Sequence, residues 1–313
     1  MAVTSRAPRT ARRLGRDPRA GAVLGAVTIA FSGIFVRLSH ASPSTAAVFR
    51  CAFALPVLLA LAAREDRALG RRDLRARASS LLAGVFFTGD LILWNASIGD
   101  VGAGLATVLA NIQVLIIPLV AWVLLDERPS RAQLLALPLA ALGVLLISGV
   151  VEHGAYGAHP ERGTLLGVGA GVAYVGFLLL LRHGSSDTRR VAGPLCDATL
   201  VAVLGSLAVG ATIGDLHLAP VWPGWGWLLV LALSSQVMGW MLIGSSLPRL
   251  PAALGSILLT IQPVGSVLFA AIILHESPSA LQLAGVALVV AGLLSVRGAP
   301  RPARRPPAPG RAV

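Results

Sequence analysis

The chain has 313 residues, of which 55% are hydrophobic and only 13% charged, with a mean hydropathy of +0.78 and a formal net charge of +12. Soluble domains carry about 25% charged residues, so the composition excludes an ordinary soluble domain and points to a polytopic membrane protein. The charge does not argue for nucleic acid, because all 26 basic residues are Arg, nearly all sit in tails and loops, and no aromatic platform is interleaved with them.

In chain order, residues 1–20 read as an Arg-rich tail. Apolar runs of roughly the ~20 residues needed to cross a bilayer follow at 21–38, 44–62, 79–98, 102–125 and 132–149. An outer loop at 150–163 leads to five more, at 164–181, 193–213, 225–246, 251–274 and 280–296. Residues 298–313 form a Pro/Arg-rich tail expected to be disordered. An Arg-rich start before an apolar run resembles a signal peptide. The match of GAVLGAVTIAFSG (21–33) to GTLLGVGAGVAYVG (163–176) argues instead that the first run is a retained span. Ten crossings place 23 of the 26 Arg on one side, and basic residues stay cytoplasmic during insertion, so both termini are expected in the cytoplasm. Arg without Lys, with much Ala, Gly and Pro, suggests a GC-rich bacterium and hence its cytoplasmic (inner) membrane. Cys51 and Cys196 both fall inside spans and suggest no disulfide framework.

Residues 95–147 and 244–296 are copies of one another, identical at 17 of 53 positions at a shift of 149 with no gap. The shared residues include Ile112-Gln113 with Ile261-Gln262, and Glu127-x-Pro129-Ser130-x-x-Gln133 with Glu276-x-Pro278-Ser279-x-x-Gln282. The chain therefore reads as two five-span halves, 21–149 and 164–297. An odd number of spans per half turns the second half upside down. The expected fold is all-α and integral to the membrane: ten transmembrane helices as two inverted five-helix repeats, an arrangement suited to alternating access.

Ionisable groups inside a bilayer are costly and usually face a cavity or a partner. Arg50 lies about 9 Å from the outer end of its span at about 1.5 Å per residue, and Asp90 lies near the middle of the third. They form either a structural ion pair or a working couple: Arg50 for an anionic group on the cargo, Asp90 for proton coupling. A second polar cluster comprises Asn95, Asn111 and Gln113, with Thr260 and Gln262 as repeat mates of the last two. Asn111 and Gln113 are two residues apart and cannot share one narrow helix face, so at least one is expected to bond a neighbouring helix. Gln236 is a further polar point on span eight. Trp94 and Trp240 are candidate cavity walls, with a lipid-facing role the alternative. Glu127, Pro129, Glu276 and Pro278 mark the repeated turn, where the glutamates are expected to cap their turns, a gating role staying open. Trp222, Trp225 and Trp227 read as an interfacial belt. Gly21-x-x-x-Gly25, Gly163-x-x-x-Gly167 and Gly167-x-x-x-Gly171 read as internal packing seams. Glu152, His153, His159 and Glu161 share a Gly-interrupted loop and are not assigned as a metal site.

Ten spans, two five-helix halves and a Glu-x-Pro/Leu-Ser-x-x-Gln turn before a Gly-ending helix resemble EamA-type transporters of the drug/metabolite transporter superfamily, over roughly residues 20–297. In that family the fourth helix of each half usually contains Pro. The second half keeps it (Gln262-Pro263), whereas the first has Val114 there and Pro118 four residues on. The resemblance implies a carrier of amino acids, metabolites, nucleotide sugars or toxic organic compounds, most often outward in bacteria.

No GxxxxGK[ST], HExxH or GxSxG with suitable partners occurs, so neither an enzyme nor a cofactor is expected, and a gradient or exchange must drive transport. The expected function is secondary export of a small polar metabolite such as an amino acid, with the bilayer and the cargo as partners and proton coupling through Asp90. Two rivals share the architecture: a lipid or glycolipid flippase and a broad drug exporter, the latter disfavoured by only two Tyr and eight Phe. Homodimer formation stays open.

Overall fold

The computed structural model describes residues 17–125, 129–184, 187, 189–219, 221–250, 254 and 258–295, and every described element is helical. The first half comprises α1 (Pro18–Ala30), α2 (Ser32–Ser39), α3 (Pro43–Leu69), α4 (Leu74–Val101), α5 (Ala103–Ala110), α6 (Gln113–Leu125) and α7 (Arg131–Ile147). The second comprises α8 (Pro160–Gly184), α9 (Ala192–Ile213), α10 (Gly224–Leu231), a π-helix (Ala232–Gly239), α11 (Trp240–Ser246), α12 (Ile261–Ile273) and α13 (Ala280–Ser295). Seven stretches are long and apolar enough to cross a membrane, some formed by consecutive helices, and α7, α12 and α13 are shorter apolar helices. The expected first, fourth and eighth spans are not continuous α-helices: breaks fall at Phe31 and at Asn111-Ile112, and the eighth contains the π-helix.

Local chemistry starts these helices where the sequence places polar caps. Ser42 accepts from Thr45 N–H with Pro43 in the first turn, and Asp73 accepts from Arg75 N–H. The repeated Ser-x-x-Gln motif is a capping box in both halves. Ser130 and Gln133 exchange hydrogen bonds at the start of α7, and Ser279 and Gln282 do the same before α13. Pro129 and Pro278 precede these boxes. Glu127 lies outside the described residues.

The packing exchanges the two halves. α4 packs on α8 as the π-helix and α11 pack on α1, while α3 pairs with α9, α5 with α12 and α7 with α13. The α7–α13 pair is antiparallel: Gly143 meets Gly285, Gly292 meets Ala136, and Gln282 at the start of α13 donates to the Ile147 carbonyl at the end of α7. Repeated turns at the starts of these two helices therefore lie at opposite ends of the pair. The small-residue seams are internal. Gly25 meets Gly239 and Ile243, and Gly163 and Gly167 meet Val101 and Leu109, which lets helices approach without the help of a hydrophobic driving force.

Carboxylates close the frame. Glu65 in the last turns of α3 accepts from Val191, Ala192 and Gly193 N–H at 2.9, 2.8 and 2.8 Å, satisfying the orphan donors that begin α9. Asp215, just past α9, accepts from Ser44 N–H at 3.1 Å at the start of α3. Glu276 accepts from Ala103 and Gly104 N–H at 2.6 and 3.1 Å, and so caps α5 in the opposite half rather than its own turn. The carboxylate fits only because Gly102, at φ 89°, has no side chain; a Cβ there would lie 2.8 Å from it.

Candidate central cavity

Repeat mates converge on one central cavity with two lobes, about 50 and about 180 Å3, which share Ile29, Asn111, Gln113, Tyr174, Trp240 and Gln262. The smaller lobe reaches Arg50, Asp90 and Trp94; the larger reaches Thr260, Pro263 and Ile243. Gln113 and Gln262 are mates, as are Asn111 and Thr260. The helix break explains why both Asn111 and Gln113 face the cavity. Asn111 Nδ2 donates to the Thr107 carbonyl at 2.8 Å, a local bond that competes with the helix ladder, and regular winding resumes only at Gln113.

Arg50 is 5% exposed and Asp90 8%. The ion pair expected as one alternative for them does not form: among the described residues they make no salt bridge with each other. Arg50 turns elsewhere. Its Nε donates to Gln236 Oε1 at 2.9 Å, and its guanidinium carbon sits 5.8 Å from the centre of the Trp94 ring. No described residue hydrogen-bonds the Asp90 carboxylate. Gln113 Oε1 and Ser32 Oγ are buried without a partner. Burying charges without close pairing costs several kcal/mol each, of order 3 or more. Ionisable groups inside a membrane bundle usually face a cavity or a partner, and both of these face the cavity. The remaining wall is aliphatic and aromatic, including Ile29, Leu91, Leu178 and Ile243 with Phe87, Tyr174 and Trp240. Trp240 stands edge-on to Tyr174 at 6.2 Å, and behind the wall Phe177 meets Trp240 edge-on at 5.5 Å and stacks on Phe87 at 4.4 Å.

Eight of the ten candidate residues thus line the cavity: Arg50, Asp90, Trp94, Asn111, Gln113, Trp240, Thr260 and Gln262. Two do not. Asn95 Nδ2 donates to the Pro43 carbonyl at 3.0 Å and ties α4 to the start of α3, because it projects one residue beyond the Asp90–Trp94 face of its helix. Gln236 is fully buried behind Arg50, bridging it to Thr199 Oγ1 at 3.2 Å. Tyr174 and Ser32 line the cavity and were not singled out from the sequence. The weaker repeat at a shift of 142 aligns them with each other, and that alignment is the signal that could have found them.

Outside the spans, burial raises the Glu276 carboxyl above the usual carboxylate range, more than the Ala103 and Gly104 donors and nearby Arg37 lower it. In the loop between α7 and α8, Glu152 accepts from the Ser279 hydroxyl.

An all-helical, multi-pass bundle around a polar chamber is the architecture of a membrane transporter. Residues 20–149 and 161–298 each match the EamA-like transporter family, and the chain belongs to that family. It is 23% identical over 212 residues, 67% of this chain and 69% of the other, to a Bacillus subtilis (strain 168) protein described as the uncharacterized transporter YwfM. A solved crystal structure, described only as that of a protein, is similar with a TM-score of 0.58 at 17% identity, covering 89% of this chain and 97% of that one. At that identity the likeness shows the fold alone.

Proposed function

We propose that this transporter is a secondary carrier that exports a small polar metabolite, such as an amino acid or a related compound, by alternating access. In this reading ten helices cross the membrane, both termini lie in the cytoplasm, and the halves rock about the α3–α9 pair. The observation that carries it is the cavity itself: a buried arginine and a buried aspartate that form no salt bridge among the described residues, beside amide groups contributed by both repeats. Its size argues for small cargo, since pockets for drug-sized ligands run about 300–1,000 Å3. Arg50 serves as counter-charge for an anionic group and Asp90 as the proton-coupling site. The flippase and broad drug-export readings gain less support, because Arg50 is the one arginine among the described residues of the cavity wall and uncharged polar groups share that wall with the rings.

The test is an untargeted comparison of medium and cell contents with and without expression. A small polar metabolite should accumulate in the medium, and Arg50→Ala should abolish the shift at equal membrane abundance. Lipids changing leaflet with no metabolite shift would establish the flippase reading instead.

A further inference from the structure

Gln236 touches neither lobe of the cavity, yet it is fully buried and both ends of its amide are used. Oε1 accepts from Arg50 Nε at 2.9 Å, and Nε2 donates to Thr199 Oγ1 at 3.2 Å. Thr199 is itself fully buried, on α9, the helix paired with the one that carries Arg50. The π-helix that presents Gln236 is fixed in turn by Ser235, whose hydroxyl donates to the Thr28 carbonyl at 3.0 Å. π-turns within helices occur frequently at functional sites.

We infer that Gln236 is the positioning residue for Arg50, and that it must be uncharged for Arg50 to recognise an anionic group. A guanidinium offers five N–H donors in a fixed plane. One is taken by Gln236, and Trp94 lies 5.8 Å from the central carbon. These two contacts set the plane and leave the four terminal N–H groups without a described protein acceptor on the cavity side. Those groups form the fork that binds a carboxylate or phosphate at two points. A carboxylate at position 236 would accept the same Nε–H bond and hold the same geometry, but it would also neutralise the arginine in a low-dielectric site. A neutral amide holds the arginine and leaves its charge for the cargo. Gln236 is then a determinant of anion recognition although it contacts no cargo. The role in transport rests on the carrier reading above; the role in orienting Arg50 does not.

Two measurements on the full-length protein separate these. In the first, 15N-arginine spectra in detergent are recorded without any ligand. One Nε–H signal, identified by its loss in Arg50→Lys, should be protected from solvent exchange. Gln236→Leu should lose that protection by at least about tenfold, whereas Gln236→Glu should keep it. Unchanged protection in Gln236→Leu overturns the positioning role. If Gln236→Leu does not fold, Thr199→Val, which leaves Gln236 one anchor short, should reduce protection in the same direction, and no change there overturns it equally. In the second, the whole-cell comparison is repeated with Gln236→Glu at equal abundance. Export of the metabolite found for the wild type should need at least about tenfold higher internal concentration, with the maximal rate changed less than about twofold. Wild-type export by Gln236→Glu with a retained spectrum overturns the requirement for neutrality. If the wild type itself shifts no metabolite, the carrier reading fails while the spectra still decide the role of Gln236.

Discussion

The frame and the cavity treat the two halves differently. In the frame the halves answer each other: Glu65 at the end of α3 caps α9, and Asp215 after α9 caps α3. In the cavity they do not. Arg50 is the eighth residue of α3, and the eighth residue of α9 is Thr199; at the shift of 149, Asp90 corresponds to Gly239. Charge at the centre comes from the first half, whereas the neutral amides Gln113 and Gln262 come from both. Packing and capping recur in both copies; if the halves rock as proposed, these contacts must hold in either arrangement. A cargo without twofold symmetry needs its charged partners only once.

That contrast is broken most severely at Asp90. If the central carboxylate is the proton carrier, Asp90→Asn should cut export by at least about tenfold, a loss of about 1.4 kcal/mol or more of coupled driving interaction, and should flatten its dependence on external pH. Export measured against pH in cells matched for protein abundance checks this. Unchanged, still pH-dependent export removes Asp90 from coupling and leaves the asymmetry a matter of packing.

The frame should respond in stability. Glu65→Ala strands three N–H groups at the start of α9. At about 1 kcal/mol or more for each buried donor left unmet, it should cost about 2–3 kcal/mol. Asp215→Ala strands one and should cost about 1 kcal/mol. Thermal unfolding in detergent should rank the two in that order. An equal response would mean that water replaces the carboxylate at both ends and that the two caps contribute little to the frame.

How far the sequence carried follows the same division. The tandem repeat, the apolar runs, the Ser-x-x-Gln boxes and the glycine seams are local patterns with local causes, and each reads directly from spacing. Arg50 and Asp90 stood out because charge in an apolar run is conspicuous. Glu65 did not, because it stands among Arg64, Asp66 and Arg67, and Asp215 did not, because it stands in a connecting loop; each looks solvated until a distant helix end is folded onto it. In sequence Gln236 resembles a cargo contact for a related reason: its partners lie 186 and 37 residues away, and only the assembled bundle shows it behind the arginine. The breaks at Phe31 and Asn111-Ile112 contain no proline, so no breaker residue announced them.

The smallest expected effect is at Glu276, the one described cap whose carboxylate is buried rather than partly open. Its folded value lies above the ordinary carboxylate value because burial outweighs the two amide donors. The folded chain therefore holds a proton there at a pH where the unfolded chain has released it. The sign follows: this group's contribution is fully present below the ordinary value and is lost as pH rises toward the folded one. Replacing it with Gln keeps an oxygen for the Ala103 N–H and removes the titration. Across about pH 4 to 7, the melting temperature of Glu276→Gln should fall less steeply with pH than that of the wild type, in the same detergent. A steeper fall in the variant would mean that the amide donors outweigh burial, and that this cap is strongest when charged.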